Sequence, residues 1–139
     1  METPIPDLLV LDDIDLLTAL VLGEAESESL MGKIAVACVV RNRVNDKRWP
    51  DTYKGVMLQP KQFSCFLPEY FRPSILTRNR QDPVWREAQF AAFGVYNKYI
   101  RSEANLANHY YSKIMEEEPY WAKGKTPVLE IGLHKFYKL

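Results

Sequence analysis

The most constraining feature of the sequence is the apolar run Ile34–Val40, which lies inside a longer segment from Ser29 to Val44. The run is rich in β-branched residues and could form a buried strand, but the whole segment is longer than an ordinary strand and favours a helix. Its apolar residues occupy two helical faces, so this helix would be apolar nearly all round. Such a helix needs neighbours on every side, and the sequence therefore predicts a central helix.

Two further helices have clear start signals. Asp12 or Asp13 can cap a helix whose leucine and valine positions repeat at helical spacing, and Gly23 is a plausible stop for it. Asp82-Pro83 combines a capping residue with a first-turn proline, and an amphipathic pattern continues from there to Tyr99. Both helices would present an apolar face to the central one.

The remaining segments are shorter. A short helix is expected over residues 51–58, and residues 59–81 should be mostly loop, with Gln62–Phe66 briefly extended. His109–Tyr111 and Leu129–Tyr137 are typical of two strands that could pair. We therefore predict a single α+β domain over residues 1–139 that is mainly helical and has a small β element.

Composition narrows the class of function. The 139 residues are 47% hydrophobic, which fits a globular protein, and 18 basic residues balance 18 acidic ones. A net charge of zero argues against a strong nonspecific hold on nucleic acid or anionic lipid. The N-terminus lacks the basic start and apolar core of a secretory signal, and no apolar run could span a bilayer. We expect a protein made in the cytoplasm without stable membrane insertion.

Glu24 begins an acidic cluster with Glu26 and Glu28, directly after the first predicted helix. Glycosidic cleavage needs a protonated carboxyl beside the leaving oxygen. Packing against apolar neighbours would favour the protonated form of Glu24. An acidic cluster after a helix is, however, more often solvated surface, so these residues alone do not identify a catalytic acid.

Aromatic and amide side chains suit sugar binding, because sugar rings pack their C–H faces on aromatic rings while their hydroxyl and acetamido groups need polar partners. The aromatic candidates are Tyr110, Tyr111, Tyr120 and Trp121. Gln62 and Ser64 flank Phe63 in the predicted loop and supply an amide and a hydroxyl. The aromatic residues could equally fill a small core.

Cysteine and metal chemistry give weaker hypotheses. Cys38 and Cys65 are expected to be free thiols, and Cys65 with His109 or His134 could form a thiol–imidazole pair of the kind found in cysteine amidases. Cys65 does not begin a predicted helix, where its thiolate would be favoured.

The sequence also shows no metal-ligand spacing and no glycine-rich phosphate loop, so we expect neither metal nor organic cofactor.

Three groups of motifs follow one another along the chain. They are Gly23–Glu28 with Gly32–Ala37 and Asn42–Val44; Gly55-Val56 with Gln59–Cys65; and Asn108–Tyr111 with Pro119–Ala122 and Ile131–Tyr137. In order and spacing over about residues 16–137, this set resembles the cell wall hydrolase family typified by the spore cortex-lytic enzyme SleB. The family also has members among bacteriophage lysins.

The resemblance implies a lysozyme-like fold with a small β element beside the cleft. It also implies cleavage of the β-1,4 bond between N-acetylmuramic acid and N-acetylglucosamine in peptidoglycan by lytic transglycosylation. In the mechanism that the resemblance implies, one glutamic acid protonates the leaving oxygen. As carboxylate, it then helps the C6 hydroxyl of muramic acid close a 1,6-anhydro ring. Glu24 occupies the matching position. The residues expected to position the sugar are Gln62, Ser64, His109, Tyr111 and Trp121.

The chain departs from the family pattern at two places. Glu26 stands where the family usually has arginine, and Leu106-Ala107-Asn108 stands where it often has Gly-Ala-Thr. The anion at position 26 would favour the protonated form of Glu24 but could also remove a contact to substrate. The second departure directly precedes His109 and so changes the residues beside the expected substrate contacts of that strand.

We therefore predict a peptidoglycan-degrading enzyme that acts on the cell wall or periplasm. With no visible export signal or wall-binding module, it is expected to be a phage endolysin released through a holin. The alternatives are a hydrolytic muramidase, with Glu28 or Asp51 as second carboxylate, and a catalytically silent glycan-binding module of the same fold.

Overall fold

The computed structural model describes residues 5–100 and 106–139, which form a helical body and a small sheet. The helices of these two ranges are α1 (Pro6–Leu9), α2 (Asp13–Ala25), α3 (Leu30–Val44), α4 (Tyr53–Met57), α5 (Ser74–Thr77) and α6 (Pro83–Tyr96). Single 3-10 turns occur at Ser64–Phe66 and Tyr120–Ala122. The strands are β1 (His109–Ser112), β2 (Leu129–Ile131) and β3 (His134–Tyr137). The predicted mainly helical α+β composition is confirmed.

Helix α3 is the central element that its apolar pattern predicted. Every residue from 32 to 40 is buried, and α2 and α6 pack along the helix. Ser29 caps its N-terminus, where the side-chain oxygen accepts a hydrogen bond from the Gly32 amide at 3.2 Å. Local capping and burial on all sides thus fix this helix, and the rest of the body surrounds it.

Helix α2 begins at the predicted cap, since Asp12 accepts a hydrogen bond from the Asp15 amide at 2.8 Å. The prediction that Gly23 ends this helix is wrong, because α2 continues to Ala25. A Cβ atom on Gly23 would lie 2.5 Å from the Cβ of Cys65. Gly23 is therefore a packing residue inside the helix, and Glu24 lies in the last helical turn rather than beyond it.

Helix α6 also begins as predicted, with Asp82 accepting from the Val84 amide at 2.8 Å, but it ends at Tyr96 rather than near Tyr99. Its C-terminus is a Schellman motif, in which Lys98 adopts φ +64° and the Tyr99 amide donates to Gly94 O at 2.8 Å. The polypeptide chain therefore turns back against the helix three residues before the sequence pattern ends.

The sheet has the strand order β1-β3-β2, and both pairs of neighbours are antiparallel. The predicted pairing of the two C-terminal segments is confirmed, with Tyr110 opposite Phe136. The second segment is not one strand, however, but a hairpin that turns at Gly132 and Leu133. Gly132 has φ +55°, as a two-residue turn of type II′ requires at its first position.

The segment between α4 and α6 is mostly loop, as predicted. Residues 64–66, expected to be extended, instead form the 3-10 turn, and α5 interrupts the loop further along. In the described ranges, none of the helices is long and apolar enough to cross a membrane. The loop lies against α2, with the 3-10 turn beside the last helical turn that carries Glu24.

Candidate active site

A cleft of about 550 Å³ is lined by residues of both the helical body and the sheet. Its polar lining includes Glu24, Glu28, Arg43, Gln62, Ser64 and Tyr110. Apolar side chains, among them Leu67, Ile114, Met115 and Trp121, line other parts of the same cleft. A cavity of this size, mainly apolar with a few convergent polar groups, is typical of a ligand site.

The Glu24 carboxyl group is held in this cleft by three donors from two other elements. Oε1 accepts a hydrogen bond from the Tyr110 hydroxyl on β1 at 2.5 Å. Oε2 accepts from the Cys65 amide at 3.1 Å and from the Ser64 hydroxyl at 3.3 Å, both on the 3-10 turn. A carboxyl fixed by donors on both oxygens is oriented, which a solvated surface acid is not.

Tyr110 makes the shortest of these contacts. The sequence suggested it as an aromatic candidate for sugar binding, but not as a partner of Glu24. Burial and the neighbouring Glu24 charge raise the pKa of Tyr110 well above its usual value, so the hydroxyl keeps its proton and donates. Its ring lies against His134 and Phe136, with centroids at 5.3 and 5.7 Å. Strand β1 thus places one phenol directly on the candidate catalytic acid.

Glu28 is the second carboxyl group of the cleft, and it is turned toward the β2–β3 hairpin. Its side chain is 8% exposed, and Oε1 accepts from the Leu133 amide at 2.9 Å. His134 Nδ1 lies 3.2 Å from the same oxygen. Burial lowers the pKa of His134, although the Glu28 charge opposes that shift. Glu28 therefore joins the α2–α3 turn to the sheet.

Arg43 is the buried charge of the site, at 5% exposure. Its Nε donates to Asn108 O at 2.8 Å and its Nη1 to Gln62 Oε1 at 3.3 Å. The guanidinium lies between the rings of Trp49 and Phe63, 5.3 Å from each centroid. The amide of Gln62 is thus oriented by a residue of α3. Arg43 is one of three basic residues of α3, so the sequence alone did not single it out.

The other predicted sugar-binding residues divide between the cleft and its surroundings. Gln62, Ser64, Tyr111 and Trp121 line the cleft. His109 does not, because its ring packs between Trp49 and Trp121, with centroids at 5.8 and 4.9 Å. Its Nδ1 lies 2.8 Å from Asn108 Oδ1. His109 therefore supports the aromatic wall rather than the cleft surface.

The environment of His109 predicts a pH dependence of folding. Burial, with the charges of Arg43 and Arg48, lowers the pKa of His109 to about 4, below the 6.5 expected in the unfolded chain. Since the unfolded state binds the proton more readily, His109 stabilises the fold above pH 6.5, and this contribution is lost as the pH falls toward 4. After allowance for solvent screening, the loss should be on the order of 1 kcal/mol.

NMR titration of the His109 ring measures this shift directly. We expect a midpoint near the low folded value, and a smaller loss of unfolding free energy between pH 7 and pH 4.5 in His109→Gln than in the unsubstituted protein. A midpoint near 6.5 would contradict the burial of the ring.

The Cys65 thiol is a packing group. Its Sγ lies against the Leu20 carbonyl and the α2 backbone at Gly23. Burial and the Glu24 charge raise the pKa of Cys65 well above its usual value, which disfavours a thiolate. In the described part of the chain, no hydrogen bond joins this thiol to a histidine. These contacts argue against a cysteine nucleophile.

Asp51, the other possible second carboxylate, is exposed and does not line the cleft. Among the candidates for the second carboxylate, Glu28 is therefore the one that shares the cleft with Glu24.

Within residues 5–100 and 106–139, no group of three His, Cys, Asp or Glu side chains is arranged to hold a metal ion.

Glu26, where the family has arginine, points to the loop before α6. Its carboxylate pairs with Arg72 at 3.3 Å and with Arg78 at 3.7 Å, and Glu26 does not line the cleft. The reversed charge at position 26 is thus compensated by two arginines of the same chain.

The family model described as Cell Wall Hydrolase matches residues 27–137, most of the chain. The chain belongs to the cell wall hydrolase family. Glu24 lies three residues before the matched range, and most of the cleft lining lies inside it.

Among named cell wall hydrolases, the chain is 29% identical over 127 residues to the spore cortex-lytic enzyme of Bacillus subtilis, covering 90% of this chain and 37% of that enzyme. It is 43% identical over 54 residues to the spore cortex-lytic enzyme of Oceanobacillus iheyensis, covering 39% of this chain and 20% of that enzyme. The chain thus spans well under half the length of these relatives.

Two solved structures have the same fold. The catalytic domain of the germination-specific lytic transglycosylase SleB from Bacillus anthracis matches with a TM-score of 0.71 and 27% identity, covering 91% of this chain and 93% of that one. The catalytic domain of the Bacillus cereus SleB protein matches with a TM-score of 0.67 and 25% identity, covering 91% and 89%. The expected lysozyme-like fold of this cell wall hydrolase is confirmed.

Proposed function

We propose that this chain cleaves the β-1,4 bond between N-acetylmuramic acid and N-acetylglucosamine in peptidoglycan, with Glu24 as general acid and then base. The observation that carries the proposal is the Glu24 carboxyl, held by Tyr110 and by the turn at Ser64 and Cys65 in the main cleft. Membership of the cell wall hydrolase family supports peptidoglycan as substrate.

The contacts of Glu24 suit a group that gains and loses a proton. When the protonated acid gives its proton to the leaving oxygen, the Tyr110 hydroxyl and the Cys65 amide stabilise the resulting carboxylate. The Ser64 hydroxyl can donate to the carboxylate or accept from the acid, because a hydroxyl does both. The carboxylate then takes the proton of the C6 hydroxyl of N-acetylmuramic acid. The C6 oxygen attacks C1 of the same sugar, the bond to the leaving N-acetylglucosamine breaks, and the 1,6-anhydro ring closes.

Lytic transglycosylation is favoured over hydrolysis because it needs one carboxylate. Glu28, the candidate for a second, accepts the Leu133 amide, contacts His134 and lies against Gly132. A carboxylate committed to the hairpin is poorly placed to activate water or attack the sugar. A hydrolytic muramidase that uses Glu28 is the second candidate.

Incubation of purified protein with intact peptidoglycan tests the class of reaction. We expect soluble muropeptides with shortened glycan strands and no free stem peptides. Release of free stem peptides would instead indicate an amidase. Binding to the wall without any release would indicate the catalytically silent module.

Tyr110→Phe tests the positioning of Glu24. The variant keeps the buried ring but loses the hydroxyl that donates to Glu24 Oε1, so we expect kcat to fall about 10- to 100-fold. Tyr96→Phe is the matched control, because it also removes a hydroxyl that donates to a carboxylate, Asp13 Oδ2 at 3.0 Å, but Tyr96 does not line the cleft. Equal activity of the two variants in a muropeptide release assay would contradict this role of Tyr110.

The endolysin role and holin-dependent release stay predictions from the sequence. Expression in a bacterial host with and without a holin tests them. Lysis is expected only when the holin is present, and lysis by the protein alone would overturn the dependence.

A further inference from the structure

Lys61 adopts a backbone conformation that lysine rarely takes. The Gln62 amide donates to Gln59 O at 3.3 Å, which closes a four-residue turn with Pro60 second and Lys61 third. Lys61 has φ +62°, in the left-handed region that the third position of a type II turn requires and that glycine normally supplies. Lys98 also has a positive φ, at the C-terminus of α6, so the backbone alone does not assign a function to Lys61, and the surroundings of its side chain decide.

The Lys61 side chain lines the same cleft as Glu24 and is exposed there. Within residues 5–100 and 106–139, no carboxylate lies within ion-pair distance of its ammonium group. The other cation of the cleft, Arg43, is buried and donates to Asn108 O and Gln62. Lys61 is therefore the accessible positive charge of the cleft.

A second charge feature lies in the segment between β1 and the 3-10 turn at Tyr120–Ala122. Glu116, Glu117 and Glu118 are exposed and lie between Met115 and Pro119, both of which line the cleft. This acidic segment would repel an anionic ligand, whereas Lys61 would attract one. The charges of the cleft thus favour a ligand whose anionic group lies at the Lys61 turn.

We propose that Lys61 binds a carboxylate of the substrate and so determines which glycan strands are cleaved efficiently. The inference rests on the proposed function, since peptidoglycan carries carboxylates of two kinds near its glycosidic bonds. One kind belongs to the stem peptide, and the other is the lactyl carboxylate of a muramic acid that has lost its peptide. Either would form a charge-assisted hydrogen bond with the ammonium group.

Lys61→Met tests this assignment with strands of defined charge. On peptide-bearing strands we expect kcat/KM to fall about tenfold, mainly through KM, because a single charged contact is lost. On strands whose carboxylates have been converted to neutral methylamides, the variant and the unsubstituted protein should be equal. Strands without stem peptides, with the lactyl carboxylate either free or methylamidated, distinguish the two carboxylates. A loss of efficiency on the free form alone assigns the lactyl carboxylate, and no loss on either form assigns the stem peptide.

Two matched variants separate charge from backbone strain. Lys61→Arg should keep the preference for charged strands. Lys61→Asn suits a positive φ but has no charge, so it should unfold at a temperature no lower than the unsubstituted protein while losing the preference. Full activity of Lys61→Asn on charged strands would overturn the proposal.

Affinity measurements keep this test independent of turnover. The dissociation constants of Glu24→Gln and of Glu24→Gln/Lys61→Met for charged strands are compared, and about a tenfold weaker binding by the double variant is expected. Equal affinities would overturn the role of Lys61. Absence of turnover by the unsubstituted protein, on the other hand, would refute the proposed function and leave the affinity result to judge Lys61.

Discussion

Glu24→Gln is expected to lower the rate of muropeptide release by about 10²- to 10⁴-fold, the range that a positioned general acid contributes. The amide is nearly the same size as the carboxyl, and its oxygen can still accept from the Cys65 amide. Its NH2 group can donate to the Tyr110 hydroxyl, which accepts as well as donates. The glutamine cannot, however, supply a proton to the leaving oxygen. The fold should therefore remain intact, which circular dichroism and the unfolding temperature can verify.

Glu26→Gln is the matched control for this substitution. The two residues lie in the same acidic cluster, but Glu26 pairs with Arg72 and Arg78 and does not line the cleft. Its replacement should leave activity within a few-fold of the unsubstituted protein and change stability by less than about 1 kcal/mol, as expected for exposed ion pairs. Comparable activity of the two variants would remove Glu24 from the mechanism.

Gly132→Ala is expected to lower the free energy of unfolding by about 2–5 kcal/mol. Gly132 has φ +55°, which an L side chain adopts only with strain. A Cβ atom there would also lie 2.5 Å from Glu28 Oε1, so the buried carboxylate would have to leave the Leu133 amide. Urea denaturation measures the loss.

Gly124→Ala separates the cost of backbone strain from the cost of displacing the Glu28 carboxylate. Gly124 also has a positive φ, +74°, but nothing lies within 4 Å of the position that an alanine Cβ would take, so only backbone strain of about 1 kcal/mol is expected. In a Glu28→Ala background, Gly132→Ala should cost no more than Gly124→Ala, because the opposing oxygens are gone. Equal costs of the two glycine substitutions in the unsubstituted background would show that Glu28 does not constrain the hairpin.

The features that sequence reasoning predicted well are governed by local physical chemistry. The caps at Asp12 and Asp82 satisfy helix N-termini through neighbouring side chains, so their pattern is visible in the sequence. The apolar character of α3 likewise reports its own burial. Such signals need no knowledge of distant residues.

The features that sequence reasoning missed depend on tertiary contacts. Gly23 resembled a helix stop because its packing partner, Cys65, lies far away in sequence. The C-terminal strand contained a turn at Gly132 that its apolar alternation concealed.

Selection of site residues had the same limit. His109 and Tyr111 were selected from β1, yet the hydrogen bond to Glu24 comes from Tyr110, because its side chain points to the opposite face of the strand. Arg43 was overlooked because its role depends on Gln62 and Asn108, both distant in sequence. The resemblance to the family made Glu24 the candidate acid, whereas the partners that orient its carboxyl required the structure.

The mass of the released muropeptides tests the central claim most directly. If Glu24 acts first as acid and then as base on the C6 hydroxyl, each new muramic acid end should carry a 1,6-anhydro ring and be lighter than the hydrolytic product by one water. Anhydro ends that disappear with Glu24→Gln are the predicted result. Reducing ends produced at the same sites would contradict the transglycosylase mechanism and favour hydrolysis with Glu28 as the second carboxylate.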